Sequence, residues 1–164
     1  LDMRLRPIAE SDFKDVLTWS RDSAFCEANG WPDDRSTEEL QRWWSHCVNN
    51  VDKDFLRLGI ELNGELIGYA DLASIENGTA ELGIAIGKSA VWGKGVGAQA
   101  AVHIMEYGVK KFNLHTFYAE THEANVRSRR MLEKLKFKEM RRDGFEVYQE
   151  EESRLIQYRL LMNE

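Results

Sequence analysis

Apolar and polar residues alternate along this chain with two different periods, and the changes of period divide it into elements. Residues 3–8 alternate weakly and read as a first strand. Ser11 stands where a helix cap would, ahead of Phe13, Val16 and Leu17 on one helical face. Ser36-Thr37-Glu38-Glu39 has the form of a capping box, and Leu40, Trp43, Trp44, Cys47 and Val48 follow at helical spacing. Residues 54–62 and 65–75 read as strands joined by Asn63-Gly64, and the turn Glu76-Asn77-Gly78 leads into a third strand at 79–86. Together they predict an antiparallel meander. Past a glycine-rich stretch, Ala101, Ile104, Met105, Gly108 and Phe112 mark one face of a long helix. Residues 116–121 read as a strand, 125–135 as a helix, and 137–142 and 154–161 as closing strands. The order β-α-α-β-β-β-α-β-α-β-β predicts an α/β fold around a mixed sheet.

Composition narrows the picture. At 164 residues, with 43% apolar side chains, the chain is expected to form a single domain over 1–164 with a proper core. No stretch reaches the length of a membrane span and no secretory pattern is present, which gives a cytoplasmic expectation without a membrane partner. Cys26, Cys47 and the four histidines show no metal-ligand spacing, so no metal is expected. The net charge of −6 conceals a split: residues 88–142 carry twelve Lys and Arg against five Asp and Glu, whereas the remainder carries ten against 23. Such asymmetry fits a basic surface for an anionic ligand beside an acidic one for a cation, and the acidic part disfavours nucleic acid.

The basic segment contains Trp92-Gly93-Lys94-Gly95-Val96-Gly97-Ala98. Glycines before a helix let backbone N–H groups approach a ligand closely, and the helix start offers unpaired donors with partial positive charge. That combination is a diphosphate cradle. The preceding strand supports it by parity. Ala80, Leu82, Ile84 and Ile86 share one face, while Glu81, Gly83, Ala85 and Gly87 share another that is nearly bare. Either a close-packed helix covers the bare face or a slender ligand lies along the strand. Arg127, Arg129 and Arg130 then crowd the first turns of a helix, where the dipole disfavours cations, so with Lys94 they read as phosphate contacts. Pairing with Glu123 and Glu133 is the structural alternative.

Strand, glycine loop, helix and strand, followed by Asn125-x-x-Ser128 and Leu135-Lys136-Phe137, resemble the GNAT superfamily of acetyl-CoA-dependent N-acetyltransferases. The Trp-Gly-Lys-Gly form is most similar to its ribosomal-protein N-terminal and polyamine branch. The resemblance covers nearly the whole chain and implies a mostly antiparallel sheet flanked by helices. It implies acetyl-CoA as cofactor, with Ile84, Ala85 and Ile86 pairing with the pantetheine arm. Trp92, Gly93, Lys94, Gly95, Val96, Gly97 and Ala98 would surround the pyrophosphate, and Asn125, Ser128 and Arg130 would complete the cofactor set. The chemistry implied is acetyl transfer to a small-molecule or peptide amine by direct attack in a ternary complex. The chain departs from the pattern at Leu132, where many members carry the tyrosine that protonates the leaving thiolate.

That reaction needs a base for the ammonium proton and an acid for the thiolate. Glu81, on the bare strand face, is the first expectation for the base, with Glu27 and Asp71 as alternatives and a cross-strand ion pair as its structural reading; Ser128 is the expectation for the acid. Residues 24–35 correspond to the region that covers the acceptor in similar proteins. Glu27 and Trp31 within it, and Asp71 among apolar strand residues, are the expected substrate contacts. The polyamine, aminoglycoside, amino acid and protein N-terminus all remain open as acceptors, and a homodimer is among the expectations. Two other functions compete. One is a non-catalytic CoA-binding module, which Leu132 permits. The other is a dinucleotide-binding oxidoreductase, since Gly93 to Ala98 fits G-x-G-x-x-A with Glu120 further on. Six residues separate Ile86 from Gly93, however, where a dinucleotide fold turns directly off its strand.

Overall fold

In the computed structural model, which describes residues 2–50 and 52–162, the predicted elements form one mixed sheet with helices on both faces. The order is β1 (Met3–Pro7), α1 (Phe13–Ser20), α2 (Ser23–Asn29), α3 (Thr37–Asn49), β2 (Leu56–Leu62), β3 (Glu65–Glu76) and β4 (Thr79–Ile86). There follow α4 (Val96–Phe112), β5 (Thr116–His122), α5 (Val126–Lys134), β6 (Lys138–Arg141), β7 (Phe145–Tyr148) and β8 (Glu151–Leu161). The strands run β1-β2-β3-β4-β5-β8-β6, with β7 also paired to β8. All neighbours are antiparallel except β4 and β5. No helix among the described residues is long and apolar enough to cross a membrane.

Two elements go beyond the sequence expectation. The stretch read as a connection contains α2, whose seven residues are bracketed by strong end signals. Asp22 Oδ1 accepts from the N–H groups of Ala24 and Phe25, and Gly30 closes the helix in the left-handed region at φ 66°. The other is β7, whose alternation is only four residues long. The start of α1 also differs. Asp12 rather than Ser11 organises it, accepting from Ala9 N at 2.8 Å while pairing with Arg6. Ser36 caps α3 as its pattern implies, accepting from Glu39 N at 3.1 Å.

The core lies on both faces of the sheet. On one face α4 and α5 bury Val96, Ala100, Ile104 and Leu132 against Leu72, Ala80, Leu82 and Phe117. On the other, α1 to α3 supply Val16, Trp19, Phe25, Leu40 and Trp44, which meet Leu66, Tyr69 and Ala85. Burying these large side chains on both faces fixes the register of the central strands.

The functional consequence of the topology lies between β4 and β5. Their parallel ladder runs from Thr79–Thr116 through Glu81–Tyr118 and then ends, although β4 continues to Ile86 and β5 to His122. The strands diverge beyond that point, and the sheet opens into a cleft. α4 begins on one side of it and α5 on the other.

Candidate active site

The open edge of β4 forms the floor. Ala85 lies opposite Tyr69 and directs its carbonyl at Gly68, where a Cβ would come within 2.1 Å of that oxygen. Strand alternation therefore turns the N–H and C=O groups of Ile84 and Ile86 away from β3, toward the gap. The Ile86 carbonyl confirms this direction, since it accepts from Trp92 Nε1 at 2.8 Å. Ala85, expected to pair with a ligand, instead spends its backbone on β3 and buries its side chain in the α1–α3 core. The bare face of β4 divides as well. Gly87 is filled by the Trp19 ring, which a Cβ there would meet at 2.2 Å. At Gly83 the nearest atom to a new Cβ is 3.6 Å away, on Asp71.

The glycine loop forms one wall. Trp92 bridges the gap between strand and helix through its bond to Ile86, and the Arg127 guanidinium lies 3.8 Å from its ring centroid. Gly93 and Gly95 both hold φ 80°, a left-handed conformation that side chains resist, and open space surrounds the position of a Cβ at each. Gly95 caps α4, so the N–H groups of Val96, Gly97 and Ala98 have no partner within the helix.

These walls enclose a cavity of about 490 Å³. Ile84, Ile86, Trp92, Gly93, Gly95, Val96, Gly97, Ala98, Asn125, Ser128 and Arg130 line it, together with Arg127 and Lys134. Lys94 is exposed and does not line it. Arg129 is also turned away, donating to the Glu123 carbonyl at 3.0 Å. Three cations and a row of unpaired N–H groups suit a diphosphate, and the open β4 backbone beside them suits an extended amide-bearing chain. Lys134, a turn further along α5, is a lining residue that the sequence reading missed.

A second cavity of about 300 Å³ adjoins the first, and Ala28, Asn29, Ile84, Asn125 and Ser128 line both. Asn125 is therefore at the junction. Its Oδ1 caps α5 by accepting from Ser128 N at 3.1 Å, which leaves its amide nitrogen to a ligand. The second cavity is acidic: Glu27 of α2, Glu120 of β5 and Glu146 of β7 line it, with His122 and Tyr148. Of these only Glu27 was expected as a substrate contact; Glu120 and His122 come from β5, which the sequence read as a plain strand, and Glu146 and Tyr148 come from β7, which it did not read as a strand.

Glu81 is near this group without lining the cavity. Partial desolvation first, and the charge of Glu120 second, push its carboxyl above the usual glutamate range although the residue keeps an exposed side. Glu120 is itself oriented by Gln157 Nε2, which donates to it at 2.8 Å.

Two expected substrate contacts find their partners within the chain. Asp71 accepts from Arg57 Nε at 2.7 Å and from the Arg57 terminal nitrogen at 2.8 Å, a two-point ion pair that engages both oxygens. Arg57 is held in turn over the Tyr69 ring, 4.2 Å from its centroid. The cation expected at Trp31 is likewise supplied internally.

 The Arg35 guanidinium lies 4.8 Å from the Trp31 ring centroid, and Phe25 and Trp43 pack edge-on against that ring at 4.8 and 5.1 Å. Neither Trp31 nor Asp71 lines the two cavities. Leu132 is 2% exposed and belongs to the core under α5, so that position offers the cleft no acid.

The acetyltransferase (GNAT) domain family profile matches residues 2–138. An uncharacterized N-acetyltransferase, p20, from Bacillus licheniformis is 35% identical over 75 residues, covering 44% of this chain and 42% of that protein. The match spans 42% of p20 and 21% of an uncharacterized protein from Methanocaldococcus jannaschii, less than half of either. Among solved structures, spermidine N-acetyltransferase from Vibrio cholerae in complex with CoA and spermine aligns with a TM-score of 0.80 at 19% identity, covering 98% of this chain and 96% of that one. The ribosomal α-N-protein acetyltransferase RimL in complex with coenzyme A aligns with a TM-score of 0.78 at 17% identity, covering 98% and 94%. Likeness at such identity shows a shared fold.

Proposed function

Because the chain belongs to the acetyltransferase (GNAT) domain family, we propose that it transfers an acetyl group from acetyl-CoA to a cationic primary amine, by direct attack with both substrates bound. The observation that carries this reading is the pair of joined cavities, one cationic and lined by free helix-start N–H groups, the other acidic. They meet at Asn125 and Ser128, where a thioester and an amine would have to meet.

Each residue then has a task. The N–H groups of Val96, Gly97 and Ala98, with Arg127, Arg130 and Lys134, hold the diphosphate. Ile84 and Ile86 offer backbone groups to the pantetheine amides, in place of the β5 strand that has turned away. Asn125 and Ser128 position the reacting end. The bound acetyl-CoA supplies an activated acyl group, which a free amine attacks readily once aligned. Glu27, Glu120 and Glu146 favour an acceptor with more than one positive charge, which selects a polyamine over a protein N-terminus with a neutral flank. Glu81 and Glu120 receive the ammonium proton through water, and the raised affinity of Glu81 for a proton improves it as a base near neutral pH.

Calorimetry with CoA, followed by an acetyl-transfer screen over polyamines, aminoglycosides, amino acids and peptide N-termini, tests this. CoA binding and preference for a polyamine are the expected results. Tight NAD binding without CoA binding would overturn the transferase reading. CoA binding with persistent inactivity across all amines would favour the non-catalytic module, which the loss of a hydroxyl at Leu132 already makes a coherent second reading.

A further inference from the structure

With Leu132 sealed in the core, the leaving thiolate needs its proton from another element. Among the five tyrosines, only Tyr148 lines either of the two joined cavities. It arrives from β7, an element outside the stretch in which the missing tyrosine would stand. The residue is 6% exposed and its ring stacks on His122, with centroids 4.8 Å apart and planes at 28°. Its hydroxyl makes no hydrogen bond with the described residues, yet unlike Tyr158 Oη it is not sealed from solvent, so it opens on the cavity its ring lines.

We propose that Tyr148 is the general acid of acetyl transfer, giving its phenolic proton to the departing sulfur. The assignment rests on the acetyl-transfer reading. As the amine nitrogen bonds to the acyl carbon and the C–S bond breaks, its electron pair goes to sulfur, and the Tyr148 O–H proton follows to form the thiol. The phenolate takes back a proton from the new amide nitrogen. The acceptor ammonium loses two protons in all, one ending on sulfur by way of Tyr148 and one released through the carboxylates to solvent.

The surroundings fit that role. Burial holds the phenol protonated, while the Arg127 charge works in the opposite direction and favours the phenolate as it forms. The other titratable groups facing it are His122 and Glu120 of β5, Glu146 beside it on β7 and Glu27 across the cavity. Rival donors are weaker. His122 directs Nε2 toward Glu146 at 3.8 Å and has its Nδ1 sealed without a partner among the described residues. Ser128 carries an aliphatic hydroxyl, a far poorer acid than a phenol near 10. It retains a positioning role.

Two measurements test the assignment. Tyr148→Phe keeps the ring stacked on His122 and is expected to bind CoA normally by calorimetry, with kcat lowered at least about 100-fold and the amine KM little changed. The alkaline limb of the wild-type kcat profile should disappear in the variant. The second readout needs no turnover. With tyrosines carbon-13 labelled at Cζ, the Tyr148 resonance, identified by its loss in the variant, should shift on adding CoA and stay in place with desulfo-CoA. Equal shifts with both ligands, or near-normal kcat in Tyr148→Phe, would overturn the assignment and leave the transferase reading intact. A CoA-specific shift in a protein inactive toward every amine would support the placement of Tyr148 at the thiol and overturn the transferase reading instead. Failure of CoA to bind would overturn both.

Discussion

Asp71 and Glu81 are strand carboxylates whose side chains share the face of the sheet under α1 to α3, yet they sit in opposite electrostatic settings. Asp71 is neutralised at two points by Arg57, and each partner keeps less than a fifth of its side chain exposed. Asp71→Asn strands the guanidinium in a mostly dry place. A fully buried pair broken on one side costs about 3–5 kcal/mol, and the residual exposure here lowers the expectation to about 2 kcal/mol. Urea unfolding should show that loss while CoA affinity stays unchanged. Glu81 has a carboxylate neighbour instead and binds its proton more tightly in the folded state. Its ionised form therefore works against the fold. That penalty vanishes below the unfolded value, about 4.3, and is complete above the raised folded value. Glu81→Gln is expected to raise the urea midpoint slightly at pH 7, with the difference shrinking as the pH falls through that window. Turnover should drop more than CoA affinity, with a displaced acid limb; an unaltered pH–rate profile would remove Glu81 as the base.

At the scale of elements, glycines that look alike in sequence separate by what surrounds them. Gly87 exists for packing, because a methyl group would enter the Trp19 ring. Gly87→Ala should destabilise by roughly 1–3 kcal/mol through overpacking and lower the melting temperature by several degrees. Gly95 faces open space at φ 80°. Gly95→Trp should leave a folded protein that no longer binds CoA in calorimetry; undiminished affinity would move the cradle elsewhere. The sequence made the cradle legible because glycine conformation, helix-start donors and clustered cations are local properties of residues 92–98 and 125–130. The hairpins were legible for the same reason, through Asn63-Gly64 and Asn77-Gly78. Acceptor chemistry was hidden because it is assembled across the fold. Glu27, Glu120 and Glu146 lie far apart in the chain, and only the pairing of β5 and β7 with β8 brings two of them to one rim. Trp31 and Asp71 misled for a related reason: nothing local reveals that Arg35 and Arg57 meet them first.

Across the whole molecule, the basic segment supplies the cations of one cavity, and Glu27 and Glu146 from the acidic remainder join Glu120 in the adjoining cavity of opposite sign. Both proposed substrates are multiply charged, so both should be drawn in by fields that salt screens; the Debye length falls from about 10 Å at 0.1 M to about 3 Å at 1 M. Raising the salt concentration is expected to increase the KM for both CoA and a polyamine, and to change the KM of a monoamine much less. Equal sensitivity for polyamine and monoamine would argue against the acidic cavity as the acceptor site.

The early end of the β4–β5 ladder has a mechanical meaning too. Three residue pairs join the strands from β1 to β4 to those from β5 to β8, and beyond that seam the sheet is split. A pantetheine arm lying in the split, as proposed, would act as a short surrogate strand bonded to β4. The coenzyme would then be a fastener as well as a reagent, tightening a seam that the polypeptide leaves half closed. Amide hydrogen exchange should slow at Ile84 and Ile86 when CoA binds, and also at the far end of β5, which the ligand need not touch.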